Sequence, residues 1–279
     1  MVKPTIYSDL IHYLMYFILI IFAFLALYPL FFVLITSLKS AGEYINNKLL
    51  LPQKISFVNY RYVWINGNML KYFINSCILI PAALIFYLFT CISAGFAFGR
   101  LRFPFRFLIF LSVLFLMIFP QMLLSIQIFQ IVRKMHLVNT YVGLILVWVA
   151  YFAPFGTYIM TTYYSSVPME MVESARIDGA NIWQMLFRIM VPIAKPMIVI
   201  IIIIGFQSMW NELPFSLLIL QTEHLRTITQ GIGMMQGQYG LDDTILTAAI
   251  ISATLVPMVL FMFFQRQITM GSYSGAVKG

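Results

Sequence analysis

Residues 170–196 read "EMVESARIDGANIWQMLFRIMVPIAKP" and interrupt a chain that otherwise consists mostly of apolar runs. This stretch contains three of the nine acidic residues of the protein. Charged side chains are costly inside a hydrocarbon layer, so a charged segment with an internal Asp-Gly pair is expected to lie at a membrane surface, between two spans. We interpret it as a docking element for a soluble partner.

The whole chain has the composition of a membrane protein. It has 279 residues, of which 62% are hydrophobic and 9% charged, whereas an ordinary soluble domain has about 25% charged residues. Its net charge of +8 comes from basic residues that stand singly between apolar runs, a pattern that favours positions flanking a membrane over a nucleic-acid surface. At ~20 apolar residues a span, the length suits one membrane domain.

Six apolar runs predict an all-α membrane protein with six transmembrane helices. The runs are 11–37, 71–98, 107–132, 141–163, 197–220 and 245–265. Between the second and third runs, "GRLRFPFR" places Arg100, Arg102 and Arg106 in a short loop without an acid. Short cytoplasmic loops are enriched in arginine and lysine, so this loop predicts a cytoplasmic N-terminus and, with six spans, a cytoplasmic C-terminus.

Proline and glycine indicate how these helices bend and pack. Each predicted span carries a proline: Pro29, Pro81, Pro120, Pro154, Pro214 and Pro257. A proline inside a helix removes a hydrogen bond and kinks the axis, which suits a protein that encloses a cavity, although proline is common in membrane helices generally. Gly95 and Gly99 stand four residues apart and predict a face for close helix packing.

Polar residues follow the fifth span at intervals of one helical turn, in "GFQSMWNELPFS" (205–216), and predict a single stripe. A carboxylate such as Glu212 costs on the order of 2.5–3.5 kcal/mol at this depth, so it should face other helices or a wet cavity. Three interpretations stay open: Glu212 holds the bundle together, lines the translocation pathway or lies at the interface. The pathway candidates are Gln121, Tyr151, Gln207, Ser208, Asn211 and Glu212. Uncharged polar groups interleaved with aromatic rings suit a polyhydroxylated solute.

The opening stretch predicts a helix, a turn and a second helix. Ser166 can cap the first helix, Pro168 suits its first turn, and Asp178-Gly179 interrupts it. The second helix is expected to stop at Pro192. Because the pair is too short to cross a membrane and its polar face is partly acidic, contact with a protein is favoured over contact with the membrane surface.

The sequence "ESARIDGA" (173–180) resembles the EAA motif of ATP-binding-cassette importer permeases. Glu173, Ala175 and Gly179 match the motif, and Ser174 replaces its first alanine. The "WNE" triplet of the fifth span and the final "GAVKG" are similar to the carbohydrate-uptake branch of that family, and within it to the maltose-type second permease.

This resemblance implies a type I importer fold (MetI-like) with cytoplasmic coupling helices that sit in a cleft of an ATPase subunit. The residues implied in coupling are Glu173, Ser174, Ala175, Asp178, Gly179, Ala180 and Trp183. The resemblance also implies that the C-terminal tail, with Gly275 and Lys278, reaches the ATPase interface. The loop at about 221–244 would meet a binding protein outside the membrane. In the maltose-type system the visible solute site belongs to the other permease.

The implied function is that of a transmembrane permease subunit of an ATP-driven, binding-protein-dependent sugar importer, for an oligosaccharide or disaccharide, in the bacterial cytoplasmic membrane. The implied partners are a second, different permease, two ATPase subunits, an extracytoplasmic sugar-binding protein, the sugar and membrane lipid. The implied division of the chain is an N-terminal segment with the first helix (1–40), an extracytoplasmic loop (41–70), a permease core (71–266) that contains the coupling loop (165–192), and a cytoplasmic tail (267–279).

No motif in the sequence predicts catalysis by this chain. It lacks G-x-x-x-x-G-K-[ST], so ATP and Mg are expected on the partner subunits and no cofactor on this chain. No metal-ligand spacing of histidines occurs, and no nucleic-acid partner is expected. Two alternatives stay open: a permease for glycerol phosphate or polyols, and an ion-driven secondary transporter, for which Glu212 would be the only carboxylate deep in a span.

Overall fold

The structure is a computed structural model that describes the backbone of residues 6–239 and 242–276 and the side chains of residues 12–235 and 242–265. These residues form helices, turns and loops, with no strand among them. The helices are α1 (Ile6–Ser37), α2 (Ala41–Asn46), α3 (Val58–Arg61), α4 (Met69–Arg100), α5 (Arg106–Phe115), α6 (Gln121–Lys134), α7 (Tyr141–Ser166), α8 (Met169–Ile177), α9 (Ile182–Gln184), α10 (Val191–Ile193), α11 (Lys195–Trp210), α12 (Pro214–Ile219), α13 (Ile228–Tyr239) and α14 (Asp243–Ala276).

Four helices in the described part of the chain, α1, α4, α7 and α14, are long and apolar enough to cross a membrane. Two further pairs reach that length only across a bend. Arg106–Ile118 and Gln121–Lys134 are bent by 109°, and Ile182–Ile193 and Lys195–Trp210 by 83°. The predicted all-α membrane fold is therefore confirmed, with four continuous spans, or up to six if each bent pair crosses.

The six prolines act in two different ways. Four lie inside continuous helices: Pro29, Pro81, Pro154 and Pro257. Pro120 instead precedes the first residue of α6, and Pro214 is the first residue of α12. A proline in the first turn of a helix costs no hydrogen bond, because its missing N–H would have no partner within the helix. At these two positions the helix is broken rather than kinked.

The fifth predicted span is divided by one of these breaks. Helix α11 ends at Trp210, residues 211–213 are irregular, and α12 begins at Pro214. The prediction of one polar stripe is therefore wrong. The side chains of Gln207 and Asn211 are exposed, whereas Glu212 is buried. The reason is that helical spacing holds only while the helix continues, and Pro214 starts a new one.

The predicted outer loop at 221–244 contains the 12-residue helix α13, and its place outside the membrane stays a prediction. Gly231 of this helix serves close packing. A Cβ atom at Gly231 would lie 2.2 Å from Cδ2 of Tyr72, so only glycine fits against that ring. Ile228, at the start of α13, is fully buried.

The chain divides into two compact units. One consists of Met1–Met69 with Met234–Thr254, and the other of Leu70–Gly233 with Leu255–Gly279. The EAA-like segment and all six pathway candidates lie in the second unit. The functional division proposed from the sequence stays a prediction. Helix α14 continues to Ala276, through most of the predicted tail.

Helices α4 and α7 pack closely along the predicted glycine face. A Cβ atom at Gly95 would lie 2.4 Å from Cβ of Met160, and one at Gly99 would lie 3.0 Å from Cβ of Tyr164. Tyr164 is fully buried and meets Phe96 edge-on, with ring centroids 6.2 Å apart. The prediction of close packing at the two glycines is confirmed.

We therefore expect Gly95→Ala to separate α4 from α7 and to lower the melting temperature of the detergent-solubilised protein, since overpacking typically costs about 1–3 kcal/mol. Thermal unfolding followed by thiol accessibility measures the change. The matched control is Gly42→Ala, because a Cβ atom at Gly42 meets nothing within 4 Å. An equal melting temperature for both variants would contradict the packing role.

Candidate functional site

The carboxylate of Glu212 lies at the centre of a polar junction in the second unit. Its side chain is 4% exposed. Oε1 accepts hydrogen bonds from Gln121 Nε2 at 2.7 Å and from the backbone N–H of Phe215 at 2.6 Å. Oε2 accepts from Trp148 Nε1 at 2.9 Å and from the backbone N–H of Ser216 at 3.0 Å. The two oxygens thus have four donors, from three segments of the chain.

The local sequence explains how one carboxylate reaches these donors. The first turn of a helix leaves backbone N–H groups without partners, and an acidic side chain near that end is favoured. Glu212 stands two residues before Pro214, so its carboxylate folds back onto the free N–H groups of α12. Gln121, which follows Pro120, is the first residue of α6. The helices that begin at the two proline breaks are therefore joined through Glu212.

Several other backbone groups near this break are also paired. Thr229 Oγ1 donates to the carbonyl of Trp210, where α11 ends, and Gln230 Nε2 donates to the carbonyl of Leu220, beyond the end of α12. Asn139 Oδ1 accepts from the backbone N–H groups of Gln221 and Thr222. Irregular backbone at membrane depth is tolerated only where its polar groups are satisfied. The break is therefore a built element of the fold.

The structure brings together three of the six pathway candidates. Gln121 and Tyr151 are half-buried beside Glu212, and the ring of Tyr151 meets Phe215 edge-on with centroids 5.2 Å apart. Ser208 is half-buried on α11. Gln207 is exposed and lines an apolar groove of about 250 Å³ among α4, α11 and α14. Asn211 is exposed, and its Nδ2 donates to the carbonyl of Gln207.

This arrangement favours one of the three interpretations of Glu212. A carboxylate that accepts four hydrogen bonds within the protein holds helices together, and it has little capacity left for a solute. The pathway assignment of Gln207, Ser208 and Asn211 stays a prediction.

The EAA-like part of the sequence forms two helices joined by a tight turn. We define residues 168–193 as the bent segment. Helix α8 ends at Ile177, and Gly179 has φ +80°, in the left-handed region that glycine adopts at little cost. Asn181 then starts α9 with a reciprocal capping box, in which the side chains of Asn181 and Gln184 each accept from the other's backbone N–H at 2.9 Å. The predicted helix–turn–helix is confirmed.

Two details of the prediction for this segment are wrong. Ser166 does not cap α8, because it is the last residue of α7 and its Oγ donates to the carbonyl of Tyr163. Pro192 does not end the second helix, which continues to Ile193 through a π-helical turn at Met185–Met190. Pro192 lies directly after the π-helical turn, and the chain bends only afterwards, at Ala194.

The bent segment leaves a mixed polar and apolar surface uncovered by its own chain. The side chains of Glu173, Ser174, Asp178 and Trp183, and also Gly179, are exposed, and Ala180 is half-buried. Ile177 is 86% exposed and Trp183 56%. Ala175 is buried, so its small side chain fits the packing of the segment against its own protein. A Cβ atom at Gly179 would meet nothing within 4 Å.

The bent segment is attached to the long helices at both of its ends. Arg100, the last residue of α4, donates from Nη1 to Sδ of Met169 at 3.7 Å. Tyr163 of α7 donates from its hydroxyl to the carbonyl of Ile193 at 2.9 Å. Phe89 of α4 stacks on Trp183, with ring centroids 6.4 Å apart. Between the segment and residues 100–103 lies a cleft of about 500 Å³. A displacement of the segment would therefore act directly on α4 and α7.

Sequence reasoning missed the residues that secure the break. The bond from Trp148 to Glu212 was not predicted from the sequence. Asn139, Thr229 and Gln230 carried no signal, because their partners are backbone groups more than eight residues away. Of the predicted tail residues, Lys278 lies outside the described residues, and for Gly275 only the helical backbone is described. The described residues contain no group of three His, Cys, Asp or Glu able to hold a metal ion.

Comparison with known proteins matches residues 68–269 to the family described as binding-protein-dependent transport system inner membrane component. The chain belongs to this family. Members are permease subunits of ATP-binding-cassette transporters, which are generally non-catalytic and multi-pass in the inner membrane and which work with ATPase and substrate-binding subunits.

Several relatives resemble the chain over nearly its whole length. The diacetylchitobiose uptake system permease of Streptomyces coelicolor is 33% identical, over 92% of this chain and 85% of that protein. The arabinooligosaccharide transport permease of Bacillus subtilis is 30% identical, over 91% and 92%. The melibiose, raffinose and stachyose import permease of Bacillus subtilis is also 30% identical, over 90% and 91%.

A solved structure shares the fold. It is a chain of the crystal structure of a bacterial ABC transporter involved in the import of the acidic polysaccharide alginate. The two chains superpose with a TM-score of 0.81 over 95% of this chain and 99% of that one, at 21% identity. The expected importer-permease fold is therefore confirmed for this member of the family.

We expect Glu212→Gln to lower the melting temperature of this permease. The amide nitrogen of glutamine would face two N–H groups whose hydrogen bonds the carboxylate now accepts. Each buried donor left unpaired costs about 1–3 kcal/mol. Thermal unfolding of the solubilised protein measures the loss. Glu170→Gln is the matched control, because it makes the same change at an exposed carboxylate. If both variants melt alike, Glu212 does not hold the junction.

Proposed function

We propose that this permease subunit imports oligosaccharides or disaccharides in an ATP-driven complex with a second, different permease, two ATPase subunits and an extracytoplasmic sugar-binding protein. The observation that carries the substrate class is the agreement of the relatives. Three proteins, each aligned over at least 90% of the length of this chain, take up diacetylchitobiose, arabinooligosaccharides, or melibiose, raffinose and stachyose. Their substrates differ in detail but are all short sugars.

The bent segment is the surface that would receive the force of ATP hydrolysis. Its exposed Ile177 and Trp183 suit the apolar part of a protein interface, and the neighbouring Glu173 and Asp178 suit a polar rim. ATP and Mg would be bound by the partner ATPase subunits, and this chain would contribute contact and movement. The segment would lie on the cytoplasmic side, and both termini with it.

The connection from the bent segment to the break explains how movement would reach the membrane interior. The segment ends at Ile193, and α11 follows after a bend of 83° at Ala194. Helix α11 then runs to Trp210, one residue before the junction region begins. A push on the segment would therefore move α11 and, through Glu212, the starts of α6 and α12. Such a linked shift is what alternating access between two states requires.

The ion-driven alternative finds less support in the geometry. A carboxylate that couples an ion gradient must be able to release and rebind its ion. Glu212 is committed to four hydrogen bonds in the protein, two of them from the backbone. A permease for glycerol phosphate or polyols would use the same coupling surface, so substrate tests must separate it from a sugar permease.

The direct test is uptake by the assembled complex in proteoliposomes. Labelled disaccharides and oligosaccharides, glycerol phosphate and a polyol are offered in parallel, each with ATP inside the vesicles. We expect ATP-dependent accumulation of a short sugar only when the ATPase and binding protein are present. Accumulation by this chain alone along an ion gradient would contradict the proposal, and uptake limited to glycerol phosphate or polyol would overturn the substrate class.

We expect Gly179→Leu to leave membrane insertion and complex assembly intact while reducing the sugar imported for each ATP hydrolysed. Among the described residues, no atom lies within 4 Å of a Cβ atom placed there, but a leucine would project from the proposed docking surface and strain the left-handed backbone. Parallel measurements of ATPase activity and uptake give the coupling ratio.

Two controls separate the causes of that loss. Gly179→Asn tests the effect of side-chain size with less backbone strain, because asparagine tolerates the left-handed region. Gly42→Leu makes the same change at another open glycine, one without a positive φ. Unchanged coupling in Gly179→Leu would show that the turn does not dock.

A further inference from the structure

The loop that follows α1 closes on itself at the end of that helix. The backbone N–H of Ser56 donates to the carbonyl of Leu38 at 2.9 Å, directly after the last helical residue, Ser37. Residues 39–55 therefore leave from and return to the same level of the molecule. Asn59 strengthens this closure, because its Nδ2 donates to the carbonyls of Ser37 at 2.9 Å and Lys39 at 2.7 Å.

A fully buried cation holds the interior of the loop. Lys39 is 0% exposed, and its Nζ donates to the carbonyls of Asn47 at 2.9 Å and Lys48 at 3.0 Å. The carbonyl groups that precede residue 49 are thus turned inward, towards the ammonium group. The residues that come next are presented on the outside of the loop.

Those outward residues are strongly apolar. The exposed fractions are 71% for Leu49, 69% for Leu50 and 64% for Leu51, and Ile55, Phe57 and Val58 are exposed to 62–70%. Three consecutive leucines held outward by a satisfied loop are not explained by packing within this chain. We call residues 49–58 the apolar loop.

We propose that the apolar loop inserts into the lipid headgroup region of the leaflet in which α1 ends. Because α1 is a membrane-spanning helix and the loop closes at Leu38, the apolar loop is held at the level where the span leaves the hydrocarbon layer. Apolar side chains at that level gain by entering the boundary between headgroups and acyl chains. This assignment goes beyond the proposed transport function and does not depend on the substrate.

The charged residues around the apolar loop favour lipid as the partner that contacts it. Lys48 and Lys54 flank the leucines, and both are exposed. Lysine side chains at such positions reach towards phosphate while their stems lie along apolar surface, and they favour anionic headgroups. Glu43, the acid within residues 39–58, is turned back into the loop, where its Oε1 accepts the backbone N–H of Gln53 at 2.5 Å, and Asp243 lies beside Tyr44. The side chains that the apolar loop exposes are apolar or cationic, apart from Gln53.

The test places an environment-sensitive fluorophore on the apolar loop of the complete transporter in proteoliposomes. Cys77 and Cys91 are first replaced by alanine, and single cysteines are then introduced as Leu50→Cys and, in a second protein, Leu51→Cys. Asn46→Cys, at an exposed polar position of α2, is the matched control. Each labelled protein is titrated with nitroxide lipids, whose spin label lies near the headgroups, and separately with aqueous iodide.

We expect nitroxide lipids to quench the probes at residues 50 and 51 at least about twofold more than the probe at residue 46, and iodide to show the reverse order. Anionic phospholipid in the proteoliposomes should increase this nitroxide quenching, and the increase should lessen when Lys48 and Lys54 are both replaced by glutamine. Iodide access at residues 50 and 51 would overturn the proposal. So would protection from both quenchers, because it would show that a protein subunit covers the apolar loop.

Discussion

The four hydrogen bonds accepted by the Glu212 carboxylate are the interaction on which the second unit depends. A membrane interior offers no water to an interrupted helix, so every end created by a break must find a partner in the protein. Glu212 supplies that partner for the first turn of α12 and, through Gln121 and Trp148, joins it to α6 and α7. Glu212 thus pairs backbone groups at the start of α12, while Thr229 pairs the carbonyl of Trp210 at the end of α11.

Such a break gives a transporter mechanical freedom that a continuous helix lacks. Helix α11 lies between two interruptions, the 83° bend at Ala194 and the irregular residues 211–213. Residues 195–210 form one unbroken helix, so α11 can move as a rigid rod while the flanking turns change. The bent segment stands at one end and the polar junction at the other. A force applied to the bent segment would therefore pass through the bend at Ala194 and the rigid helix α11 before it reached the polar junction.

Much of this organisation could be predicted from the sequence, because it rests on local chemistry. Apolar runs marked the spans, Gly95 and Gly99 marked the α4–α7 contact, and Asp178-Gly179 marked the turn. Several failures depended on partners distant in the chain. The interrupted fifth span is joined to α6 and α7 through the bonds of Gln121 and Trp148 to Glu212, and Gly231 of α13 packs against Tyr72. Sequence spacing alone contains neither fact.

The same reasoning limits where sugar recognition can lie. A solute hydroxyl needs free donors and acceptors, and the most polar residue of the spans has its lone pairs occupied within the protein. Relatives at 30–33% identity take up different sugars. If the junction is structural, the differences between substrates must come from exposed groups such as Gln207 and Asn211, or from the partner subunits. Holding the bundle and choosing the solute would then be tasks for different residues.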